Sequence, residues 1–262
     1  MAKKRMTLEE SKEITKKLLK NIDDQIENSL VDDRSYSSWL RQILHCPKYS
    51  INNATLLLMK YKDPIAKTRK QWESIGVHVT DDWKNYTYLL RPVLYDGFYK
   101  NRKWVPYSKA SDEDKNKIKS GEYKRISGVN FSRYAVYDIS QTDADEDTIV
   151  SQRLENSPKT YEMHQICEAT NMSVGEFMDC VKDEVHILAL ENGLKDHLVR
   201  TYEAGTNYLC GERLGIDSNI NSFYLQKDLN KMEMKEMKKI TKMIVNDSQS
   251  IIDNLLESLG VN

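Results

Sequence analysis

The apolar residues of this chain change their spacing twice, and this change restricts the fold more than any other feature. Apolar side chains recur at helical spacing in residues 7–74 and again in residues 160–259. Between these blocks, residues 86–139 are rich in the β-branched and aromatic residues that favour strands. Helices and strands in separate blocks are typical of an α+β fold. The sequence therefore predicts N-terminal helices plus a small antiparallel sheet, followed by a mostly helical part.

Capping residues and helix breakers define the predicted helices of the first block, which cover 7–30, 34–45, 51–61 and 67–74. Thr7 and Glu10 have the spacing of a capping box, and Ser50 is suited to cap the third helix. Pro47 ends the second helix and Gly76 ends the fourth, because neither residue continues a helix well.

The predicted sheet is organised around Asp96-Gly97, a dipeptide that favours a tight hairpin turn. Residues 86–95 form the strand before the turn, and residues 98–107 form the return strand. The polar residues 108–128 are predicted to be a loop, and residues 131–139 a further strand.

A domain boundary is predicted near 143–158, after the acidic residues 143–147. It divides the chain into residues 1–145 and residues 158–262. In the second part, Ser173 and Glu176 form a capping box for a helix that ends near Glu191. Further helices are predicted over 160–170, over 196–214 and, as one or two segments, over 228–259.

The net charge of −1 conceals a strong asymmetry between the two parts. Residues 1–140 carry 27 Lys and Arg against 18 Asp and Glu, whereas residues 141–262 carry 12 against 22. All four Trp and 11 of the 15 Tyr lie in the basic part. Positive charge with exposed aromatic rings favours binding of single-stranded nucleic acid. Attraction between the two parts, with the aromatic residues in the core, is the alternative interpretation.

Nothing in the composition indicates a membrane or exported protein. No run of about 18 apolar residues occurs, and the basic N-terminus is followed by Thr7-Leu-Glu-Glu instead of an apolar segment. We therefore expect a cytoplasmic protein with no membrane partner. Its four dispersed cysteines are expected to be reduced thiols.

Four short motifs, in the same order along the chain, resemble those of the ArdC-like antirestriction family. Residues 49–58 (YSINNATLLL) are similar to the YS-x-x-N helix of that family, and residues 70–79 (KQWESIGVHV) to its W-x-x-x-G-x-x-V segment. Residues 89–93 (LLRPV) and 137–142 (YDISQT) resemble two strand ends of the family. The resemblance implies an N-terminal domain that binds single-stranded DNA in proteins of plasmids, conjugative elements and phages. Such proteins protect incoming DNA from host defence, typically restriction.

The resemblance extends to residues 202–217, which are similar to a C-terminal helix of the family's zinc metallopeptidase-like domain. In active relatives the residue matching Glu203 is a metal ligand, and the preceding helix carries His-Glu-x-x-His. Here the best placement is residues 183–187, where Glu184 matches the general base but Asp183 and Ile187 replace the two histidines. Because isoleucine has no ligand atom, we expect no catalysis and no cofactor. His186 is one residue out of register.

The candidate DNA-binding residues fall into three groups. Tyr49, Asn52 and Asn53 belong to the first motif, and each is suited either to contact DNA or to hold the protein backbone. Trp83, in a polar segment, is the best candidate for stacking on a base. The remaining candidates are basic residues for the phosphates and one further aromatic residue, namely Lys67, Arg69, Lys70, Lys84, Arg91, Arg102, Lys103 and Trp104. A solvated basic helix face is the alternative for this group.

Three functions are compatible with these observations. The first is a non-enzymatic antirestriction-type protein of a mobile element or phage that binds single-stranded DNA through its basic part. The second is a protein-targeting inhibitor of a CRISPR or restriction nuclease, whose acidic part mimics DNA. The third is a residual metallopeptidase that uses Glu184 and Glu203. Single-stranded DNA is the expected partner in the first case and a host defence nuclease in the second.

Overall fold

The structure, a computed structural model, describes residues 8–80, 85–216 and 232–261 and has an α+β fold, as predicted. In these ranges, helices α1 to α10 cover Leu8–Ser29, Asp33–Leu44, Ile51–Leu58, Arg69–Glu73, Asp112–Lys119, Glu146–Asn156, Met163–Thr170, Val174–Glu191, Asp196–Arg213 and Met234–Ser258. Strands β1 to β4 cover Ala66–Lys67, Thr87–Lys100, Lys103–Pro106 and Arg125–Asp138. The helices lie close to their predicted positions where a capping residue marked them, as Ser50 does for α3 and Ser173 for α8.

Strands β2 and β4 form a long antiparallel ribbon in a sheet of order β1-β4-β2-β3. Their pairing runs without interruption from Thr87↔Val136 to Phe98↔Arg125. The turn predicted at Asp96-Gly97 is wrong, because β2 continues through both residues to Lys100. The chain reverses at Asn101 and Arg102, whose φ angles of 51° and 61° allow a tight turn.

Long-range contacts explain why β2 does not turn at Asp96. The Asp96 carboxylate accepts two hydrogen bonds from the Arg125 guanidinium on β4, at 2.8 and 2.6 Å. Gly97 lies under the indole of Trp104, where a Cβ atom would be 2.7 Å from a ring carbon. Both residues that favour a turn locally are therefore held in the strand by partners elsewhere in the ribbon.

The predicted loop over 108–128 contains helix α5, which packs against the end of the ribbon. Ser111 and Asp114 form a capping box at its N-terminus. The Lys100 ammonium donates a hydrogen bond to the Asp114 carboxylate at 2.8 Å. The ring of Tyr123, which follows the helix, stacks on the buried ring of Phe98 with centroids 5.4 Å apart.

Helix α6 occupies most of the region in which the domain boundary was predicted. Asp145 caps it by accepting a hydrogen bond from the Thr148 amide. Glu146 and Asp147 lie in its first turn, where negative charge stabilises a helix. The acidic residues at the start of the predicted boundary therefore cap and begin a helix.

One large hydrophobic cluster contains residues from both predicted parts of the chain. Leu40 and Leu57 from the first part, and Phe177, Leu209 and Ile244 from the second, are all buried in it. Helix α2 contacts both α9 and α10. The division into 1–145 and 158–262 stays a prediction, but the two parts share this core.

Two tryptophans of the basic part lie inside the protein. Trp39 belongs to the large cluster. Trp72 is fully buried in a smaller cluster with Ile65 and Tyr137, and its indole nitrogen donates to the Tyr137 carbonyl at 2.9 Å. Within the described ranges, the structure contains no helix with the length and apolar character required to cross a membrane.

Candidate nucleic-acid interface

The two faces of the ribbon carry different side chains, because successive residues of a strand point to opposite sides. Strand register places Arg91, Tyr95 and Tyr99 of β2 on the same face as Trp104 of β3 and Tyr134 of β4. These five residues are called the aromatic face here. Among the alternate residues that the strands place on this side, all of them described, Asp138 at the end of β4 is the one acidic residue. Its carboxylate is buried and accepts hydrogen bonds from the Ile65 and Ser140 amides. The aromatic face therefore presents rings and positive charge without an exposed carboxylate from the strands.

Three rings of the aromatic face contact one another near the end of the ribbon. The Trp104 ring lies edge-on to Tyr95, with centroids 6.0 Å apart, and edge-on to Tyr99, with centroids 5.4 Å apart. Tyr99 is 57% exposed and Trp104 is 37% exposed. Both rings are thus supported by neighbours while part of their surface stays in solvent, as a stacking platform for bases requires.

Two glycines allow the rings to lie close to the backbone. A Cβ atom on Gly97 would be 2.7 Å from the Trp104 ring, and one on Gly128 would be 2.5 Å from the Tyr95 hydroxyl. Glycine in a strand interior often marks such a close approach. The positions of Trp104 and Tyr95 are therefore fixed by β2 and β4 themselves.

Arg91 supplies positive charge in the middle of the aromatic face. It is exposed and pairs with Ser132 on β4. Burial raises the pKa of the nearby Tyr134 hydroxyl, and the Arg91 charge opposes this rise. Tyr134 pairs with Leu89, so Arg91 and Tyr134 are diagonal neighbours on adjacent strands and on the same side.

A cleft of about 230 Å³ lies at the base of the aromatic face, next to β1. Tyr134 and Leu89 of the ribbon line it on one side. Its other polar lining residues come from the α2–α3 connection, β1, α4 and α6, and they are Lys48, Tyr49, Lys67, Gln71 and Asn156. Aromatic, basic and amide side chains therefore meet where the ribbon joins the helices.

The opposite side of the ribbon carries exposed apolar side chains between α1 and α5. Pro92 pairs with Phe131 and Leu94 pairs with Val129, and these four residues are called the apolar face here. Leu94 is 80% exposed and Val129 is 51% exposed. The apolar face has no ring cluster comparable with that of the aromatic face.

The candidate residues of the first motif hold the base of the ribbon instead of pointing to solvent. The Tyr49 hydroxyl donates to the Ala66 carbonyl at 2.8 Å and accepts from the Ala66 amide at 2.9 Å. Burial raises the pKa of Tyr49 to about 12. The Asn53 side chain donates to the Leu90 carbonyl at 2.9 Å and accepts from the Leu90 amide at 2.8 Å. The side-chain oxygen of Asn52, Oδ1, is buried and has no hydrogen-bond partner among the described residues.

The basic candidates around β1 and α4 lie beside aromatic rings or on the helix surface. The Lys67 ammonium is 5.6 Å from the Trp72 ring centroid, and the Arg69 guanidinium is 5.6 Å from that of Tyr137. Lys70 is exposed on α4. Trp83 and Lys84 lie outside the described residues, so base stacking by Trp83 stays a prediction.

The three candidate residues near the β2–β3 turn do not lie on the same side of the sheet. Arg102 lies in the turn itself. Lys103 pairs with Lys100 on the side of the apolar face, and Trp104 points to the other side. Of all the predicted residues, the structure brings Arg91 and Trp104 onto one face.

Sequence reasoning missed three members of that face, namely Tyr95, Tyr99 and Tyr134. The i, i+4 spacing of Arg91, Tyr95 and Tyr99 would place them on one side of a continuous strand. The turn predicted at Asp96-Gly97 concealed this relation, because it assigned Tyr99 to a different strand.

The aromatic face, the apolar face and the candidate DNA-binding residues all lie within the first 147 residues, and a family comparison covers nearly the same region. Residues 9–147 match the model of the N-terminal domain of anti-restriction factor ArdC. The chain belongs to the ArdC antirestriction family. The four motifs that predicted this membership all lie inside the matched region of the ArdC domain. Among curated proteins and solved structures, none matches the chain significantly.

Outside the matched ArdC domain, the predicted metal-site residues lie on two packed helices. Asp183, Glu184 and Ile187 are on α8, and Ile187 is exposed. The His186 ring nitrogen Nδ1 is 2.6 Å from a carboxylate oxygen of Glu203 on α9. In the ranges described, no three His, Cys, Asp or Glu side chains are grouped so that they could hold a metal ion.

Proposed function

We propose that this chain is a non-enzymatic antirestriction-type protein that binds single-stranded DNA on its aromatic face. The observation that carries the proposal is the supported but exposed cluster of Tyr95, Tyr99 and Trp104 beside Arg91, on a side of the ribbon where the strands expose no carboxylate. Every base has a π-face, so such a platform binds single strands with little sequence preference. In duplex DNA the base faces are stacked on one another and unavailable to these rings.

The length of the aromatic face fits several nucleotides. From Arg91 to Tyr99 the strand spans about 26 Å, at about 3.3 Å per residue. Arg102, Lys67 and the exposed Lys70 lie near its two ends and can add contacts to phosphates. The single-stranded DNA would thus run along the ribbon, with its bases on the rings and its sugar–phosphate backbone near the cations.

The non-enzymatic part of the proposal depends on residue chemistry at 183–187. A catalytic zinc ion needs nitrogen, sulfur or oxygen ligands at fixed positions, and Ile187 has none to offer. His186 is directed to Glu203, with which it forms a pair on the protein surface. We therefore propose that protection of DNA takes place in the cytoplasm by binding alone, as an ArdC-type protein of a mobile element or phage.

Fluorescence anisotropy with labelled single- and double-stranded oligonucleotides tests this function. The unaltered protein should bind the single strand more tightly than the duplex, and its affinity should fall as salt rises because counterions are released. Trp104→Ala should weaken binding about 5- to 100-fold, the range expected for loss of one stacked base. Leu94→Ser, on the apolar face of the same ribbon, is the matched control and should bind normally. Equal binding of both oligonucleotides, or no loss in Trp104→Ala, would disprove the proposal.

A second candidate function, inhibition of a defence nuclease by direct contact, is favoured by the exposed apolar face. Leu94, Val129 and Phe131 are 80%, 51% and 38% exposed and adjacent on this face, and contiguous exposed apolar patches often mark protein interaction sites. In this case Leu94→Ser would abolish inhibition of the nuclease, whereas Trp104→Ala would not. The same two variants thus distinguish the two functions.

A further inference from the structure

A carboxylate is already paired with one of the lysines that line the cleft at the base of the aromatic face. Glu155 of α6 lies 2.6 Å from the Lys48 ammonium, and its second oxygen accepts from the Gln152 amide at 3.0 Å. The hydrogen bond from Lys48 lowers the pKa of Glu155, and the charges of Lys48 and Lys67 add to this effect. The Glu155 carboxylate is therefore bound by Lys48, one of the two lysines that line the cleft, and the charge of the other, Lys67, also favours its ionised form.

The Lys48–Glu155 ion pair is accessible and easily exchanged. The Lys48 side chain is 45% exposed and that of Glu155 is 52% exposed. Exposed pairs of this kind are weak, because water and salt screen them. A DNA phosphodiester carries the same kind of oxygen atoms as a carboxylate and the same single negative charge, so it can replace Glu155 beside these two lysines.

The rest of the cleft matches the needs of a nucleobase. Tyr134 supplies a ring that continues the aromatic face, and Leu89 supplies an apolar wall. The Gln71 side-chain oxygen is occupied by Thr68, at 2.9 Å from its amide and 2.8 Å from its hydroxyl. The side-chain nitrogen of Gln71, Nε2, makes no hydrogen bond to any described residue, so it can donate to a base edge.

Asn156 provides the complementary group. Its amide nitrogen donates to the Gln152 carbonyl at 2.6 Å, so its carbonyl oxygen is the atom left to accept a hydrogen bond in the cleft. A donor from Gln71 and an acceptor from Asn156 together suit the mixed donor and acceptor edge of a base.

We propose that this cleft holds one unstacked nucleotide of the bound single strand, with its phosphate on Lys48 and Lys67 in place of the Glu155 carboxylate. The base then packs on Tyr134 within reach of Gln71 and Asn156. This inference rests on the proposed binding of single-stranded DNA. It assigns α6 a regulatory role, because Glu155 competes with DNA for the same two cations.

Anisotropy titrations of a labelled oligothymidylate with Glu155→Gln test the competition directly. The variant keeps the size of the side chain and removes its charge. We expect it to bind about two- to fivefold more tightly than the unaltered protein, the range expected for loss of an exposed ion pair that opposes binding. Glu191→Gln, an exposed residue at the end of α8, makes the same change in net charge away from the cleft and should leave the affinity unchanged.

A second pair of variants separates the cleft from general electrostatics. In a Lys48→Ala background, Glu155→Gln should produce a smaller gain than in the unaltered protein, because the two residues act on one site. Lys67→Ala should weaken binding and reduce the salt dependence by about one counterion. Thermal unfolding of each variant checks that the fold is retained.

The outcomes distinguish this inference from the function on which it rests. Loss of binding in Trp104→Ala, with no gain in Glu155→Gln, would overturn the cleft and leave the aromatic face as the binding site. Equal gains in Glu155→Gln and Glu191→Gln would also overturn the cleft. Absence of any binding to single-stranded oligonucleotides, in all variants, would overturn both proposals.

Discussion

The aromatic face and the apolar face of the ribbon are made of alternate residues of the same strands, yet they offer different chemistry. Neighbours in sequence have different environments: Tyr99 lies exposed in the ring cluster, whereas Phe98 is buried against the ring of Tyr123. Strand register alone decides which residues share a side. A shift of one residue in the β2–β4 pairing would mix the rings of one face with the apolar residues of the other.

Contacts at both ends of the ribbon hold this register. At the base, the Asn53 side chain makes two hydrogen bonds to the backbone of Leu90. Towards the end, the Asp96 carboxylate is bound by both arms of the Arg125 guanidinium. Contacts of this kind specify one alignment, because any other alignment would leave their polar groups unpaired.

The sharpest test of the comparison uses the neighbours Phe98 and Tyr99. Phe98→Ala should lower the free energy of unfolding by about 3–5 kcal/mol, because it removes a fully buried ring. Tyr99→Ala should change that free energy by less than about 1 kcal/mol and should instead weaken binding of single-stranded DNA. Urea unfolding and anisotropy titrations of both variants measure these effects. Similar behaviour of the two variants would mean that the two faces do not differ as described.

Loss of the contact at the base of the ribbon should have the next largest effect. Asn53→Ala leaves the amide and the carbonyl of Leu90 buried without their partner. We expect the free energy of unfolding to fall by about 2 kcal/mol, measured by urea unfolding. Lys70→Ala, on the exposed surface of α4, is a suitable control and should unfold normally. An unchanged free energy of unfolding in Asn53→Ala would show that other contacts set the register.

Removal of single charges on the two sides should have a smaller effect. Arg91→Ala should weaken binding to single-stranded DNA a few-fold and reduce its salt dependence by about one counterion. Lys103→Ala removes the same charge from the side of the apolar face and should have little effect. Titrations at several salt concentrations compare the two variants. Equal losses would indicate that net charge, and not the position of the charge, determines binding.

The smallest effect is expected on the apolar face itself. Leu94→Ser exposes no buried surface, since Leu94 is already 80% exposed. The free energy of unfolding should change by less than about 0.5 kcal/mol, by the same urea assay. Affinity for single-stranded DNA should remain the same, and a clear loss would extend the DNA site around the ribbon.

The sequence predicted those elements that depend on neighbouring residues. Helices with a clear cap, such as α3 at Ser50 and α8 at Ser173, lie where they were expected, because capping acts within one turn. Helix α5 was missed even though Ser111 and Asp114 have the same spacing. Its polar composition hid it, and its position depends on Lys100 of the distant strand β2.

The candidate site was harder to predict, because it depends on contacts between distant parts of the chain. Asp96-Gly97 favours a turn locally, but Arg125 and Trp104 hold it in a strand. The family resemblance predicted DNA contacts for Tyr49 and Asn53. In the structure these side chains make hydrogen bonds to the backbone at the base of the ribbon and do not point to solvent. The sequence does not single out Lys48 as a site residue, because its proximity to Glu155 arises only in the folded chain.

The core that joins both parts of the chain has a consequence for synthesis on the ribosome. The β2–β4 ribbon can pair as soon as residue 138 has emerged, because all its strands are then present. The apolar side of α2 stays uncovered until α9 and α10, the last described helices, have been translated. A nascent chain paused before Met234 would therefore display the aromatic face while its interior is still open to chaperones and proteases.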